Sequence, residues 1–330
     1  MGAYKYWKGG VNGTVDDTDG DWNNVGNWHG GVKPVTGDIV VYGEQAGVCD
    51  NSGTTKHAYG KHWSCYINVS QAAIDLAGLI ITKGFTGCVG IDVVGNGGPL
   101  IIGFTDELWF MGNETLYIKS GGGQAVPLAF HRSESGLMKI DAAAAADVWT
   151  EIHLQDAGTL EIVNDCRVDK LHCGADFTGI VNIGTGVQDG AGNAIDLEVY
   201  GGTIYSGSKL GQVKNASIIN LGATEVALYG NTLDIDNLLQ ILGTFTWRHS
   251  GQLKLLQLSG GIVQAVGDGE KTLGTSAAGD IKVLGGKLDL SDAQSKIIMA
   301  ADATIVSRGE GMVIMPPNVE TTFSSLLTTV

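Results

Sequence analysis

From about residue 70 onward, the chain repeats one short pattern, in which one or two small residues precede a run of alternating apolar and polar positions. The copies are AGLIIT (77–82), GGPLII (97–102), AGTLEI (157–162), TGIVNI (178–183), GGTIY (201–205), YGNTLDI (229–235), LGTFTW (242–247), SGQLKL (250–255), GGIVQA (260–265) and GGKLDL (285–290). Alternation such as Leu288-Asp289-Leu290 has the period of two that buries one face of a β-strand. The pattern therefore predicts many short strands, each preceded by a turn that contains glycine.

The spacing of these copies favours a coiled arrangement of strands over hairpins. Successive copies are roughly one solenoid repeat apart or about half that distance. Hairpins would require turn dipeptides throughout, yet Asn-Gly and Asp-Gly pairs such as Asn12-Gly13, Asp189-Gly190 and Asp268-Gly269 are few. A parallel β-helix closes one coil in about 20 residues and buries its Val, Ile and Leu side chains by stacking on the next coil. We therefore predict an all-β parallel β-helix over residues 66–310, with a pair of β-sandwiches as the alternative.

The two ends of the chain differ from this repeat. Residues 1–65 lack the repeated phrase and contain four of the seven tryptophans, Trp7, Trp22, Trp28 and Trp63. Because an uncovered first coil would recruit other chains, we predict that this segment caps the β-helix, with partner contact by the tryptophans as the alternative. Pro316 and Pro317 cannot donate hydrogen bonds to a ladder and should end it. Residues 311–330 then form a tail that either folds back as a cap or reaches a partner.

Composition narrows the class of protein further. The chain of 330 residues contains 51 glycines without a G-X-Y period, so it is not collagen-like, and 43% of its residues are hydrophobic, which is enough for a large core. With 35 acidic and 20 basic residues the formal charge is −15, which disfavours nucleic acid as a direct ligand. No run of apolar residues long enough to span a membrane and no signal-peptide pattern is present, so neither a membrane span nor export is expected. The five scattered cysteines are typical of reduced thiols rather than a disulfide framework.

An ordered series of residues opens the chain. It consists of Tyr6-Trp7-Lys8-Gly9-Gly10, Gly20-Asp21-Trp22, Asn27-Trp28, Pro34 and Gly37-Asp38 followed by Ile39-Val40-Val41-Tyr42. This series resembles the N-terminal opening of phage virion proteins that continue as glycine-rich, right-handed β-helices; a related opening occurs on exported β-helix adhesins. The resemblance covers the front of the chain, from Tyr6 to Tyr42. It implies a right-handed β-helix, a trimeric state, and a role either in decorating the capsid or in a tail spike.

One acidic cluster could hold a metal ion. Asp17, Asp19, Asp21 and Asn23 alternate within DDTDGDWNN, and alternate oxygen ligands on a tight loop suit Ca²⁺. Counted from Asp17, the positions where an EF-hand requires Gly and Glu are occupied by Trp22 and Trp28, so an EF-hand is excluded. A simpler structural calcium loop and a solvated acidic turn both remain open. No other cofactor is predicted.

Cysteine and histidine residues form two weaker candidate sets for zinc. The first has Cys49, His57, His62 and Cys65 in a C-x7-H-x4-H-x2-C spacing, and the second has Cys166, His172 and Cys173. Neither set contains a CxxC pair, so packing or surface roles are the default interpretation.

Catalysis by paired carboxylates is the remaining chemical alternative. Parallel β-helices include polysaccharide-cleaving enzymes, and Asp234-x-Asp236 is the best acidic pair in this sequence. The motifs that are typical of polygalacturonases, Asn-Thr-Asp, Gly-His-Gly and Arg-x-Lys, are absent. We therefore predict no catalytic residues.

The resemblance, with the absence of an export signal, implies a structural protein of the virion. The expected role is a capsid decoration or cement protein, which is made in the host cytoplasm and binds the major capsid protein on the outer capsid surface as a homotrimer. Neither nucleic acid nor membrane is an expected partner. The alternative roles are a tail-spike or fibre module that binds or also cleaves host glycan, and a cell-surface adhesin.

Overall fold

A computed structural model describes most of the chain. The described residues are 2–8, 20–43, 64–91, 98–121, 123, 125–142, 146–215, 219–220, 234–240, 244–247, 250–267, 269–275, 280–292, 296–300, 303–315 and 327–329. These residues form 26 β-strands and two short 3₁₀ helices, Val25–Asn27 and His29–Gly31, with no α-helix among them. The chain divides into two compact units, Met1–Asp169 and Lys170–Val330.

Within its described residues, the first unit contains nine strands, which are widely spaced up to the fourth and closely spaced after it. They are β1 (Tyr4–Tyr6), β2 (Ile39–Tyr42), β3 (Ser70–Ile81), β4 (Leu100–Phe110), β5 (Thr115–Ser120), β6 (Leu128–His131), β7 (Leu137–Ala142), β8 (Trp149–Leu154) and β9 (Thr159–Ile162). All of their pairings are parallel: β1, β2, β3, β4, β6 and β8 form one ladder, whereas the start of β4 with β5, β7 and β9 forms another. Parallel neighbours that are not joined by hairpins are the defining feature of a β-helix.

The core of this unit consists of columns of aliphatic side chains. Leu116, Met138 and Leu160 are register partners on three successive coils, and each is fully buried. A second column contains Ile118, Ile140 and Ile162. Because side chains alternate across a strand, the intervening residues point outward, so the period-two pattern of the sequence separates core from surface.

The second unit is built in the same way. Its strands are β10 (Val168–Cys173), β11 (Ile180–Ile183), β12 (Ile195–Val199), β13 (Thr203–Ser206), β14 (Leu210–Asn215), β15 (Ile219–Asn220), β16 (Ile235–Gln240), β17 (Thr244–Trp247), β18 (Gly251–Leu258), β19 (Ile262–Ala265), β20 (Glu270–Leu273), β21 (Ile281–Val283), β22 (Lys287–Asp289), β23 (Lys296–Met299), β24 (Ile305–Ser307), β25 (Met312–Ile314) and β26 (Leu327–Thr329). Their register pairs are again parallel, and one buried column runs through Leu238, Leu256, Ile281 and Ile305.

Coil length varies in this unit, whereas the inward columns are kept. Leu171 is the register partner of Leu197, and Leu197 in turn is the partner of Val213, although the second stretch of chain is much shorter than the first. The difference lies in the segments that connect the strands. Each coil therefore contributes the same inward positions, and its connections lengthen or shorten outside the ladder.

Glycine is required at one corner of the coil. Gly261 and Gly286 precede the paired strands β19 and β22, and both have a positive φ, 72° and 70°. A Cβ atom on Gly286 would lie 2.4 Å from the carbonyl oxygen of Gly261, the same oxygen that accepts a hydrogen bond from the Lys287 amide. The repeated GG dipeptide of the sequence therefore marks a place where successive coils approach by backbone alone.

The prediction of an all-β parallel β-helix is confirmed, and the sandwich alternative is wrong because the pairings are parallel. The ladder extends into both segments that were expected to flank it. Strands β1 and β2 lie within residues 1–65 and pair in parallel with each other, and β2 also pairs with β3. Strands β25 and β26 lie within residues 311–330 and pair with β22 and β24.

Candidate functional site

The N-terminal segment is organised around a closed cluster of aromatic side chains. Trp7, Trp22 and Trp28 are almost completely buried, and the ring of Trp28 meets those of Trp7 and Trp22 edge to face at centroid distances of 5.0 and 4.9 Å. Tyr42 of β2 packs against Trp7, and Phe85 packs against Tyr42. The Trp28 indole N–H donates to the Trp22 carbonyl oxygen at 2.8 Å. The three indoles thus attach the segment to the first strands of the β-helix by apolar packing on Tyr42, and one buried hydrogen bond holds two of the indole residues to each other.

Asp38 holds the turn that leads from this cluster into β2. Its carboxylate accepts hydrogen bonds from the backbone amides of Ala3 and Val35 at 3.1 and 3.0 Å, and the Lys5 ammonium lies 4.0 Å away. The preceding Gly37 has a φ of 87°. The Gly-Asp dipeptide therefore supplies a left-handed turn and a buried acceptor that fastens the chain before β1 to the loop after Pro34.

The candidate calcium ligands are described only in part. Asp17 and Asp19 lie outside the described residues. The Asp21 carboxylate accepts hydrogen bonds from the Asn23 amide at 2.8 Å and from the Asn68 side chain at 2.9 Å. Within the described part of the chain, no three His, Cys, Asp or Glu side chains are close enough together to hold a metal ion. Asp21 thus has a structural role of its own, because it ties the segment to the strand that begins at Ser70.

The partner-binding candidates are likewise described only in part. Trp63, Pro316 and Pro317 lie outside the described residues. The indoles of Trp7, Trp22 and Trp28 are enclosed by the chain, so the exposed apolar surface of this segment is made by other side chains. Valines supply it: Val25, Val32 and Val35 are each just over half exposed. Sequence reasoning missed these valines, although their recurrence within one turn-rich segment was a visible signal.

The cysteine and histidine candidates have environments that suit packing. Cys65 is buried beside the Tyr42 hydroxyl, and burial raises the pKa of its thiol to about 12 although the hydrogen bond with Tyr42 acts in the opposite direction. Cys49, His57 and His62 lie outside the described residues. In the second set, Cys173 points into the core, whereas the neighbouring His172 points outward and its Nδ1 lies 3.1 Å from Glu198. Adjacent strand residues face opposite sides, so these two cannot bind one metal ion.

The acidic pair is engaged in structural contacts. The Asp234 carboxylate accepts a hydrogen bond from the Gln252 amide at 2.9 Å. Asp236 lies 2.9 Å from the ammonium groups of both Lys209 and Lys254. Burial opposes its ionisation, but the two lysines outweigh burial and hold the pKa of Asp236 below its usual value. A general acid requires a raised pKa, so this arrangement is that of an ion-paired surface carboxylate.

One buried titratable group lies in the core of the first unit. His131 ends β6, its ring packs edge to face on Phe110, and its Nε2 is 3.0 Å from the Thr159 carbonyl oxygen. Burial lowers the pKa of His131 to about 4, although the Thr159 carbonyl favours the protonated form. The imidazole is therefore neutral at pH 7 and serves as a packing residue in the column that also contains Ile81 and Leu154.

A second aromatic group lies on the outside of the same strands. Trp109, Phe130 and His153 occupy register positions on β4, β6 and β8, with Trp109 stacked on Phe130 at 4.0 Å and Phe130 against His153 at 5.3 Å. The Arg132 guanidinium carbon lies 5.0 Å from the centroid of Trp109. Sugars stack on aromatic ring faces that are open to solvent. Here the ring faces are packed against one another, which disfavours this cluster as a glycan-binding site. The sequence signal was an aromatic residue that recurs once in each coil.

Comparison with protein-family models, with curated proteins and with solved structures finds no match to this chain. Among the described residues there is no helix long and apolar enough to cross a membrane.

Proposed function

We propose that this chain is a structural protein of a phage virion, which binds the outer capsid surface as a homotrimer and stabilises the shell. The observation that carries the proposal is the N-terminal series. Its residues Trp7, Trp22, Trp28 and Asp38, on which the resemblance to virion β-helix proteins rests, together build one folded segment on the first strands of the β-helix. The motif therefore specifies a preformed N-terminal structure that is available for attachment.

The chemistry of this segment supports attachment to another protein. Among the described residues, four of the seven exposed large apolar side chains lie between Tyr4 and Val35. Residues 1–43 contain five aspartates and three lysines, so this end of the chain carries little net charge, whereas the chain as a whole carries −15. An apolar surface with little net charge favours contact with a protein shell, and the acidic remainder of the chain keeps decorated particles in solution.

The test is binding of the purified chain to capsids that lack it. We expect the double variant Val32→Asp/Val35→Asp to reduce the bound copies per capsid by at least about tenfold, because two charges then replace two of the exposed apolar side chains of this segment. Leu255→Asp/Leu284→Asp is the matched control, since these side chains are exposed to 42% and 40% but lie in the second unit.

The outcome also separates the proposal from the glycan-binding alternative. A decoration protein is present in hundreds of copies per virion and raises the temperature at which the shell opens. Equal binding by both double variants would show that the N-terminal segment is not the attachment site. A handful of copies per virion, or depolymerisation of a host glycan by the purified chain, would overturn the proposed function.

A further inference from the structure

The register of the first unit places an apolar strip on the outside of the β-helix. Tyr6, Val41, Ile80, Trp109 and Phe130 form one column across β1, β2, β3, β4 and β6, in which Val41 alone is buried. A neighbouring column, two positions earlier on each strand, contains Tyr4, Ile39, Gly78, Glu107 and Leu128. We define the outer face as the set Tyr4, Tyr6, Ile39, Ile80, Trp109, Leu128 and Phe130. Tyr4 is exposed, and the others are half-buried.

The outward positions of the other ladder in this unit have a different character. Between β5, β7 and β9, Lys119 pairs with Asp141 at 2.8 Å and Lys139 pairs with Glu161 at 3.0 Å. That ladder shows the ordinary surface of a soluble β-helix, on which charged residues of opposite sign alternate between coils. The outer face instead carries aromatic and aliphatic side chains on five successive coils. A contiguous apolar strip of this kind marks an interaction surface.

Charged groups border the outer face on its two sides. Glu107 lies on the side where the strands begin, and it accepts a hydrogen bond from the Trp109 indole. Arg132 follows Phe130 on the side where the strands end; it is exposed, and its guanidinium lies 5.6 Å from the centroid of the Phe130 ring. Nearby, Lys83 and Glu134 neutralise each other by pairing. Because all the strands are parallel, one border is acidic and the other is basic.

This polarity selects the partner. Two copies can be related by a rotation axis that runs parallel to the axis of the β-helix, so that their outer faces meet and their coils stack in the same direction. In this arrangement the Glu107 border of one copy lies against the Arg132 border of the next. The same relation holds for two or three copies around the axis. A rotation about an axis along the strands would instead bring like charges together. We propose that the outer face binds a second copy of this chain, side by side and parallel, with Glu107 facing Arg132 of the neighbour.

The size of the strip determines how strong this association is. Its four intervals between coils span about 19 Å at roughly 4.8 Å each. With a width of about 20 Å, it buries on the order of 400 Å² per copy, which belongs to the small class of interfaces. We therefore expect association in the micromolar range, which must be measured over a series of concentrations.

The experiment uses the purified full-length chain in sedimentation equilibrium, without capsids. The wild-type chain should associate as its concentration rises to about 100 µM. Arg132→Glu and Glu107→Arg should each weaken association by at least about tenfold, because each places like charges across the interface. An equimolar mixture of these two variants should associate again as mixed pairs, since a doubly acidic strip complements a doubly basic one, whereas a ring of three would always contain one contact between like variants. Leu255→Glu, in the second unit, is the control and should leave association unchanged.

Each outcome decides the inference. Recovery in the mixture supports it, and it cannot arise from misfolding, because neither variant alone would associate. A wild-type chain that stays monomeric at about 100 µM would overturn it. Association that neither charge reversal weakens, or two variants that fail to recover when mixed, would assign the interface to another surface. This inference shares with the proposed function only the expectation that the chain forms homo-oligomers. Capsid binding by the valine variants is a separate measurement, so either proposal can fail while the other holds.

Discussion

The close approach of successive coils at Gly286 gives a quantitative prediction. A Cβ atom at this position would lie 2.4 Å from the Gly261 carbonyl oxygen and 2.7 Å from the Gly260 carbonyl carbon, whereas ordinary contacts begin at 3.4 Å. Both neighbours are backbone atoms, so they cannot rotate away as a flexible side chain would. The φ of 70° adds a separate cost for any residue with a Cβ atom.

Gly123 separates the two costs. Its φ of 72° is nearly the same as that of Gly286, yet a Cβ atom there would meet nothing within 4 Å. We expect Gly123→Ala to lower the free energy of unfolding by about 1 kcal/mol, which is the conformational cost less the entropy that alanine removes from the unfolded chain. Gly286→Ala should lower it by about 2–4 kcal/mol, because the backbone of two coils must also move apart.

Equilibrium urea unfolding followed by circular dichroism measures both values. Gly98→Ala is a further control, since Gly98 has neither a positive φ nor a neighbour within 4 Å of the added atom. If Gly286→Ala and Gly123→Ala destabilise the chain equally, within about 0.5 kcal/mol, the coils do not approach as closely as the structure requires.

Two further predictions concern buried titratable groups. The pKa of His131 is about 4 in the folded chain and near 6.5 when unfolded, so between these pH values the unfolded state binds more protons. The free energy of unfolding should therefore fall by up to about 3 kcal/mol as the pH drops from 7 to 4. Urea unfolding at both pH values should show a smaller loss in His131→Leu, and an identical pH dependence in the variant would refute the assignment. Burial also raises the pKa of the thiols of Cys65, Cys166 and Cys173, whereas Cys88 is half-exposed. Among these four described cysteines, alkylation of the native chain followed by peptide mapping should therefore modify Cys88 before the other three, and early labelling of the three buried thiols would contradict their placement.

The strands were predictable because the signal for them is local. In GGIVQA and GGKLDL, the alternation marks the inward residues Val263 and Leu288, and the glycine pair marks the corner. These features depend only on the residues within one coil, and they recur in each copy. Fold class and strand position could therefore be predicted together.

The composition of the outer face could not be predicted, because it depends on register between coils. The coil from Leu171 to Leu197 is much longer than the coil from Leu197 to Val213. Because coil length varies in this way, the sequence does not show which outward residue on one strand lies beside which residue on the next. The same limit applies to the N-terminal segment. Its tryptophans were predicted either to cap the β-helix or to contact a partner, whereas the exposure of Val32 and Val35 follows from the turn at Gly37 and the hydrogen bonds of Asp38.

The variable connections of the second unit suggest a use in protein engineering. Leu171, Leu197 and Val213 stay in one inward column although the coil before Leu197 is long and the coil after it is short. The fold therefore already accommodates insertions between strands without disturbing the strand register. Foreign peptides grafted at these bends would project into solvent at intervals of roughly 4.8 Å per coil. If the chain coats a particle in many copies, each graft would become a dense, regularly spaced array of the kind that multivalent receptors and B cells recognise.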